Sequence, residues 1–134
     1  MADETELARK RTAWVRGTTN TKMGTAVVTS ERVVFFDEKF SANAAFGLVA
    51  GAVTDALQQG HEATGPLLEI PLAAVTGAAR EKKLLNKDRL RVATAEAEYL
   101  FNDGWSSLGP ALRRALAERG RTVTDAGGDA WRVG

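Results

Sequence analysis

The sequence contains no cysteine and only one histidine, His61. A chain without cysteine cannot form disulfides, thiolate metal sites or a cysteine nucleophile. A catalytic histidine needs a nucleophile or an orienting carboxylate, and the polar, glycine-flanked setting of His61 indicates a loop position instead. No group of His, Asp and Glu residues has the spacing of metal ligands. We therefore expect no enzymatic activity, no metal and no cofactor.

An excess of charge of either sign is also missing. Lysine and arginine together number 18, and aspartate and glutamate together number 17, which leaves a formal net charge of +1. Such a chain has no general attraction to nucleic acid or to anionic membranes, so any electrostatic binding must be local. We expect no nucleic-acid partner. The first eleven residues mix acids and bases without an apolar stretch, which indicates no secretory signal and a cytoplasmic location.

Long hydrophobic runs are missing as well. The longest, residues 42–54, is shorter than the ~20 apolar residues of a membrane-spanning helix. It overlaps residues 44–61, where apolar side chains recur at helical spacing: Phe46, Val49, Ala50, Val53 and Leu57. Gly47 and Gly51 lie four residues apart and permit the close approach of another backbone. The segment lacks both GxGxxG and GxxxxGK, which disfavours a phosphate-binding loop.

We predict that residues 44–61 form a short apolar helical insertion between two strands, packed on the sheet. Part of its apolar surface is expected to remain available to a protein partner or to a second copy of the chain. The candidate residues for this apolar contact are Phe46, Val49, Val53 and Leu57.

Short runs of β-branched and aromatic residues, separated by turn residues, predict strands along most of the chain. The run VVFF at residues 33–36 shows no alternation of apolar and polar residues, so both faces of this strand should be covered. Either Val33 and Phe35 or Val34 and Phe36 would face the core of the sheet, and the other pair would need a cover.

An apolar stripe at helical spacing predicts one helix near the C-terminus. Ser107 is the expected N-cap of this helix, and Pro110 then falls in the first turn, where its missing N–H has no helical partner anyway. The composition favours a single domain, which we place at residues 12–120. We expect a flexible arm at residues 1–11 and a flexible tail at residues 121–134.

A predicted hairpin rich in basic residues is the strongest candidate for a binding surface. Its cations are Arg80, Lys82, Lys83, Lys87, Arg89 and Arg91. If the turn lies at residues 86–88, Lys83 stands opposite Arg91, and like charges in this position destabilise a sheet. One interpretation is a charged edge that discourages aggregation. The other is a site for an anion or an acidic partner.

Several local motifs follow one another in a familiar order along residues 13–119. They are Val28, Thr29, Arg32, Val33 and Phe35, then IPLAAV at residues 70–75, LRVAT at 90–94, EYLF at 98–101, and Trp105 before the helix. In this order they resemble the PH-like superfold, specifically its bacterial PH-like and GRAM-like members. The resemblance implies a mainly β fold, in which a small bent barrel of two near-orthogonal antiparallel sheets is capped by a C-terminal helix.

The resemblance implies a binding role without naming a ligand. Phosphoinositide-binding members place a cluster of Lys and Arg in the first hairpin, where this sequence holds only Arg16 and Lys22. We therefore expect a non-enzymatic interaction module that binds a protein partner or associates with itself. The alternative is peripheral contact with anionic lipid, through the basic hairpin and the apolar insertion acting together.

Overall fold

A computed structural model describes residues 4–16, 20–37, 66–83 and 86–134. The predicted apolar insertion at residues 44–61, with its contact residues and His61, lies outside these ranges. Within them the chain has nine strands and one α-helix: β1 (Glu6–Val15), β2 (Thr21–Thr29), β3 (Arg32–Asp37), β4 (Pro66–Pro71), β5 (Val75–Lys83), β6 (Asn86–Thr94), β7 (Glu98–Phe101), α1 (Trp105–Glu118), β8 (Val123–Asp125) and β9 (Ala130–Val133). A 3₁₀ turn, Leu72–Ala74, joins β4 to β5.

All nine described strands belong to one antiparallel sheet, in the order β4-β3-β2-β1-β7-β6-β5-β9-β8. Neighbours in the sequence are mostly neighbours in the sheet, as expected for strands that are joined by short connections. The described part of the chain is thus mainly β with a helix near the C-terminus, as the sequence predicted. The strand pairing is continuous, so the predicted division into two near-orthogonal sheets is not confirmed.

The helix packs on one face of the sheet and forms the core with it. Its buried apolar residues recur at helical spacing: Leu108, Leu112, Ala115 and Leu116. Apolar residues of the strands face them, among them Val28, Phe35, Leu90, Val92 and Phe101. The ring of Phe35 lies 5.9 Å from that of Trp14 and 6.0 Å from that of Phe101, between ring centroids. Burial of this apolar surface is the main favourable contribution to folding.

Strand β3 is buried on both faces, as its sequence predicted. Val33 and Phe35 point toward α1 and belong to the main core. Val34 and Phe36 point to the opposite face, because side chains alternate along a strand, and they are equally buried. Neither face of this strand is therefore free to carry a polar side chain.

The helix begins two residues before the predicted cap, Ser107, so this prediction is wrong. Gly104 is the N-cap residue, with a φ of 135° that favours glycine. A carboxylate from another element, Asp88 on β6, accepts hydrogen bonds from Ser106 in the first turn. Pro110 is consequently the sixth helical residue and does not lie in the first turn.

The predicted flexible arm at residues 1–11 is wrong for the residues that the structure describes. Strand β1 begins at Glu6 and pairs with β2. The N–H of Thr5 donates to the hydroxyl of Ser30 at 3.0 Å, and the N–H of Ser30 donates to the carbonyl of Thr5 at 2.8 Å. Charged residues concealed the strand, because Glu6 and Arg9 pair with each other at its surface and weaken the apolar alternation.

The predicted flexible tail at residues 121–134 is also wrong. Strands β8 and β9 form an antiparallel pair, here called the C-terminal hairpin, and β9 pairs with β5. Trp131 is only 5% exposed and packs into the core. The guanidinium of Arg121 donates to the carbonyl of Leu72 at 2.7 Å and so fixes the base of the hairpin. The folded domain therefore extends beyond residues 12–120 at both ends.

Candidate functional site

The basic hairpin of β5 and β6 differs in register from the prediction. Arg91 stands opposite Ala79 and not opposite Lys83, so the expected repulsion between Lys83 and Arg91 does not occur. Glu81 lies opposite Arg89 instead. Unlike charges in directly opposed positions stabilise a sheet, so this register is favourable where the predicted one was not.

The six predicted cations do not form one surface. Residues that stand opposite each other share a face of the sheet, and Arg80 stands opposite the core residue Leu90. Arg80 therefore lies on the side of α1. Arg89 and Arg91 flank Leu90 in the sequence and point to the opposite face. The predicted patch is split between the two sides of the sheet.

On the face away from α1, one carboxylate pairs with two guanidinium groups. Arg89 Nη1 lies 2.8 Å from Glu81 Oε1, and Arg91 pairs with the other oxygen of Glu81. Arg91 also lies 3.5 Å from Glu98. The side chain of Arg89 is only 7% exposed, and its Nε has no hydrogen-bond partner. A buried charge is tolerated only when it is paired, so Glu81 is essential to the burial of Arg89.

On the side of α1, a carboxylate of the C-terminal hairpin pairs with two cations. Arg80 Nη1 lies 3.2 Å from Asp129 Oδ2, and Lys82 Nζ lies 4.0 Å from the same oxygen. The backbone N–H of Arg80 also donates to the carbonyl of Asp129 at 2.7 Å. Lys83 ends β5, and Lys87 is exposed with its carbonyl bound to Arg80 Nε. Carboxylates therefore pair with four of the six cations of this hairpin.

A cleft opens where α1 meets β5 and the C-terminal hairpin, with a volume of about 290 Å³. The helix contributes Trp105, Gly109 and Arg113, which share one helix face because they lie four residues apart. The strands contribute Arg80 and Trp131. This cavity is called the tryptophan cleft below. Ser106 and Pro110 also line it, so it brings together one predicted site residue, Arg80, and six residues that the sequence did not single out as a site.

The tryptophan cleft combines aromatic walls with cationic side chains. Trp131 is buried, whereas Trp105 is half-buried and lies over Gly109, where an added Cβ would stand 3.7 Å from its ring. Arg113 is partly exposed, and its Nη1 lies 2.9 Å from Asp125 Oδ1 of the C-terminal hairpin. Guanidinium groups bind carboxylates and also stack on aromatic rings, so the cleft is suited to a ligand with both acidic and apolar groups.

The sequence carried a signal for the C-terminal hairpin. TVTD at residues 122–125 and AWRV at residues 130–133 are rich in β-branched and aromatic residues, and glycines stand between them. Gly127 and Gly128 adopt φ values of 92° and 58°, which is the left-handed region that tight turns use. The packing of Trp131 near α1 could not be predicted in this way, because it depends on contacts between distant parts of the chain.

A second charged cluster lies at the start of β3 and has a structural role. Arg32 Nε lies 2.8 Å from Glu4 Oε2, and Arg32 also pairs with Glu69. The hydroxyl of Thr29 donates to the same Glu4 oxygen at 2.7 Å. Burial works to lower the pKa of Arg32, but the hydrogen bonds and charges of Glu4 and Glu69 outweigh it and raise this pKa above its ordinary value.

The described ranges hold neither a cluster of metal ligands nor a membrane-spanning helix. In these ranges, no three His, Asp or Glu side chains come together as metal ligands do. No described helix combines the length and the apolar character that a membrane crossing requires. The tryptophan cleft is therefore the candidate site that we develop.

No protein-family model and no curated protein matches this sequence. Among solved structures, the C-terminal domain of an unknown protein from Leishmania infantum is similar, with a TM-score of 0.51 and 14% identity over 86% of this chain and 84% of that chain. A chain in the crystal structure of human RhoA in complex with the DH/PH fragment of PDZRHOGEF has a TM-score of 0.50 and 11% identity, over 86% of this chain and 29% of that chain. At such identities the likeness concerns the fold alone, and it is compatible with a PH-like arrangement of strands and helix.

Proposed function

We propose that this chain is a non-enzymatic PH-like domain of the bacterial PH-like or GRAM-like kind, and that it binds a segment of a partner protein. The antiparallel strands followed by one helix support the PH-like proposal, as does the similarity to a chain of the RhoA complex with a DH/PH fragment. In this proposal the continuous sheet bends into a barrel that α1 caps. We place the domain in the cytoplasm, where its partner would also be.

The tryptophan cleft is the observation that carries this function. Tryptophan and arginine are the residue types that contribute most often to the strongest contacts in protein interfaces. Two of each line this cleft: Trp105, Trp131, Arg80 and Arg113. Its volume of about 290 Å³ is near the lower limit of typical ligand pockets and suits one or two side chains of a peptide.

Two other forms of the interaction hypothesis have less support. Peripheral lipid binding through the basic hairpin would need its cations on one surface, but they are split between the two sides of the sheet, and Glu81 and Asp129 each pair with two of them. Self-association through the apolar insertion would use Phe46, Val49, Val53 and Leu57, which lie outside the described residues. Partner binding in the cleft is therefore the form that we propose.

A selection from a displayed library of random peptides tests this function on the full chain. Gly109→Leu fills the cleft from the helix side, while Gly109→Ala is the matched control, because its Cβ stands at ordinary contact distance from Trp105. We expect selected peptides to bind Gly109→Leu at least about tenfold more weakly than wild type, and Gly109→Ala almost normally.

Circular dichroism and thermal unfolding establish that both variants are folded. Selected peptides that bind Gly109→Leu as well as wild type would show that the cleft is not the binding site. Failure to select peptides, combined with sedimentation of the protein on vesicles of anionic lipid at low salt only, would favour the membrane alternative.

A further inference from the structure

We infer that the segment bound in the tryptophan cleft is acidic and carries an apolar side chain, and that the carboxylates of the C-terminal hairpin compete with it. This inference rests on the proposed function and adds the chemistry of the partner and a built-in regulator. The inference is based on two tryptophans that lie beside two arginines in the cleft. Each arginine is already paired with a carboxylate of the C-terminal hairpin.

The arginine pairs show what kind of group this surface accepts. Arg113 is bound to Asp125, and Arg80 to Asp129. Both carboxylates are well exposed, with 77% of the Asp125 side chain and 45% of the Asp129 side chain accessible to solvent. Ion pairs at such exposure add little to stability. An incoming carboxylate can therefore replace either aspartate with little loss to the fold.

The aromatic walls require the apolar part of the ligand. Trp105 is half-buried and packs over Gly109, and the exposed part of its side chain lines the cleft. An apolar side chain placed there would bury aromatic surface that is now exposed to water. A basic segment could pair with the exposed carboxylates of the C-terminal hairpin, but Arg80, Arg113 and Lys82 outnumber these carboxylates. The like charge of the cations therefore favours an acidic segment over a basic one.

The position of the C-terminal hairpin makes it a competitor and not only a support. Asp125 stands opposite Trp131 in the pairing of β8 with β9, so the two side chains share the face that looks toward α1. Asp129 follows Gly128 in the turn that leads to β9. Both carboxylates are thus held at the cleft by the hairpin, and both bind cations that a ligand would also use.

Fluorescence anisotropy with three labelled peptides tests the inference on the full chain. The probes are Asp-Glu-Leu-Phe-Asp-Glu, its basic counterpart Lys-Arg-Leu-Phe-Arg-Lys, and a neutral version, Ser-Asn-Leu-Phe-Asn-Ser. We expect the acidic peptide to bind at least about tenfold more tightly than the other two, with an advantage that decreases as salt is added.

Variants of the cleft provide matched comparisons. Arg113→Gln should weaken the acidic peptide by about tenfold. Arg114→Gln should leave it unchanged, because Arg114 is the next residue on the helix and pairs with Glu118, away from the cleft. Asp125→Asn and Asp129→Asn should each strengthen binding by roughly threefold or more, since each frees a cation. Thermal unfolding of every variant separates these effects from loss of fold.

The results also separate this inference from the proposed function. Equal binding of all three peptides, lost in Gly109→Leu, would overturn the acidic preference and leave a peptide-binding cleft. No binding of any probe would overturn the inference, while the peptide selection described above still decides the function. Unchanged affinity in both aspartate variants would show that the hairpin does not compete.

Discussion

Asp88 Oδ1 accepts two hydrogen bonds from Ser106, one from the backbone N–H at 3.1 Å and one from the hydroxyl at 2.6 Å. A residue on a strand therefore caps the first turn of α1, and the negative charge lies at the positive end of the helix dipole. The same bonds fix the end of the helix that carries Trp105, so they also position one wall of the tryptophan cleft.

The first prediction follows from this cap. Asp88→Ala should lower the free energy of unfolding by about 1 kcal/mol, because it leaves a helix N–H without its acceptor. Ser107→Ala is the control, since Ser107 is exposed and is the cap that the sequence alone would suggest. Chemical denaturation measures both. A larger loss for Ser107→Ala than for Asp88→Ala would contradict the cap that we describe.

The second prediction concerns the two faces of β3. Phe35 and Phe36 are both fully buried, although they point to opposite faces of the sheet. Truncation of either to alanine should cost about 3–5 kcal/mol in the free energy of unfolding, because each change removes a buried aromatic ring. A loss below about 1 kcal/mol at Phe36, beside a large loss at Phe35, would mean that the face away from α1 is not part of the packed structure.

The sequence was sufficient to predict the middle of the fold but not its ends. Strand β3 contains the apolar run VVFF, β2 contains the shorter run AVV, and α1 has a clear apolar stripe, so local patterns identify them. Strand β1 carries charged residues at positions such as Arg9 and Arg11, which hide its pairing with β2. Strand β9 is only four residues long, and the burial of Trp131 depends on contacts with β5 that no local pattern shows.

The candidate site was less predictable than the fold for a related reason. The cations of the basic hairpin were recognised, but their grouping depends on the register of β5 and β6. The predicted turn puts Lys83 opposite Arg91, where the structure puts Ala79. This difference of four residues keeps each side chain on its face but changes which charges stand opposite each other. The pairing of Arg80 with Asp129 could not be predicted, because these two residues lie far apart in the sequence.

The third prediction tests how β9 is attached to the sheet. A Cβ added to Gly77 would stand 2.8 Å from the carbonyl oxygen of Trp131, so β9 can pair with β5 only if residue 77 has no side chain. Gly77→Ala should cost about 1–3 kcal/mol and speed hydrogen exchange at the amides of β9. Thr76→Ala, at the exposed neighbouring position, should stay within about 0.5 kcal/mol of wild type. Equal protection of β9 in both variants would refute this close contact.

The last prediction uses the charged cluster at the start of β3. Glu4 is nearly buried, with 8% of its side chain exposed, and Arg32 is 18% exposed, so loss of the guanidinium leaves a carboxylate in a poorly solvated position. Arg32→Gln should therefore cost about 1–3 kcal/mol, within the range for a buried ionic group that loses its partner. Glu4→Gln combined with Arg32→Gln should recover part of this loss, because the only charge then left without Arg32 is that of Glu69, which is 44% exposed.

The direction of the pKa shift of Arg32 determines how pH affects the stability that this cluster contributes. The pKa of Arg32 is raised in the folded chain, chiefly by Glu4 once the opposing effect of burial is overcome. A raised pKa contributes stability that is fully present below the ordinary pKa of the group and is lost as the pH rises through the raised value. The difference in unfolding free energy between wild type and Arg32→Gln should thus stay constant from about pH 7 to about pH 10, because arginine remains protonated there. A difference that shrinks toward pH 10, measured by denaturation, would contradict this assignment.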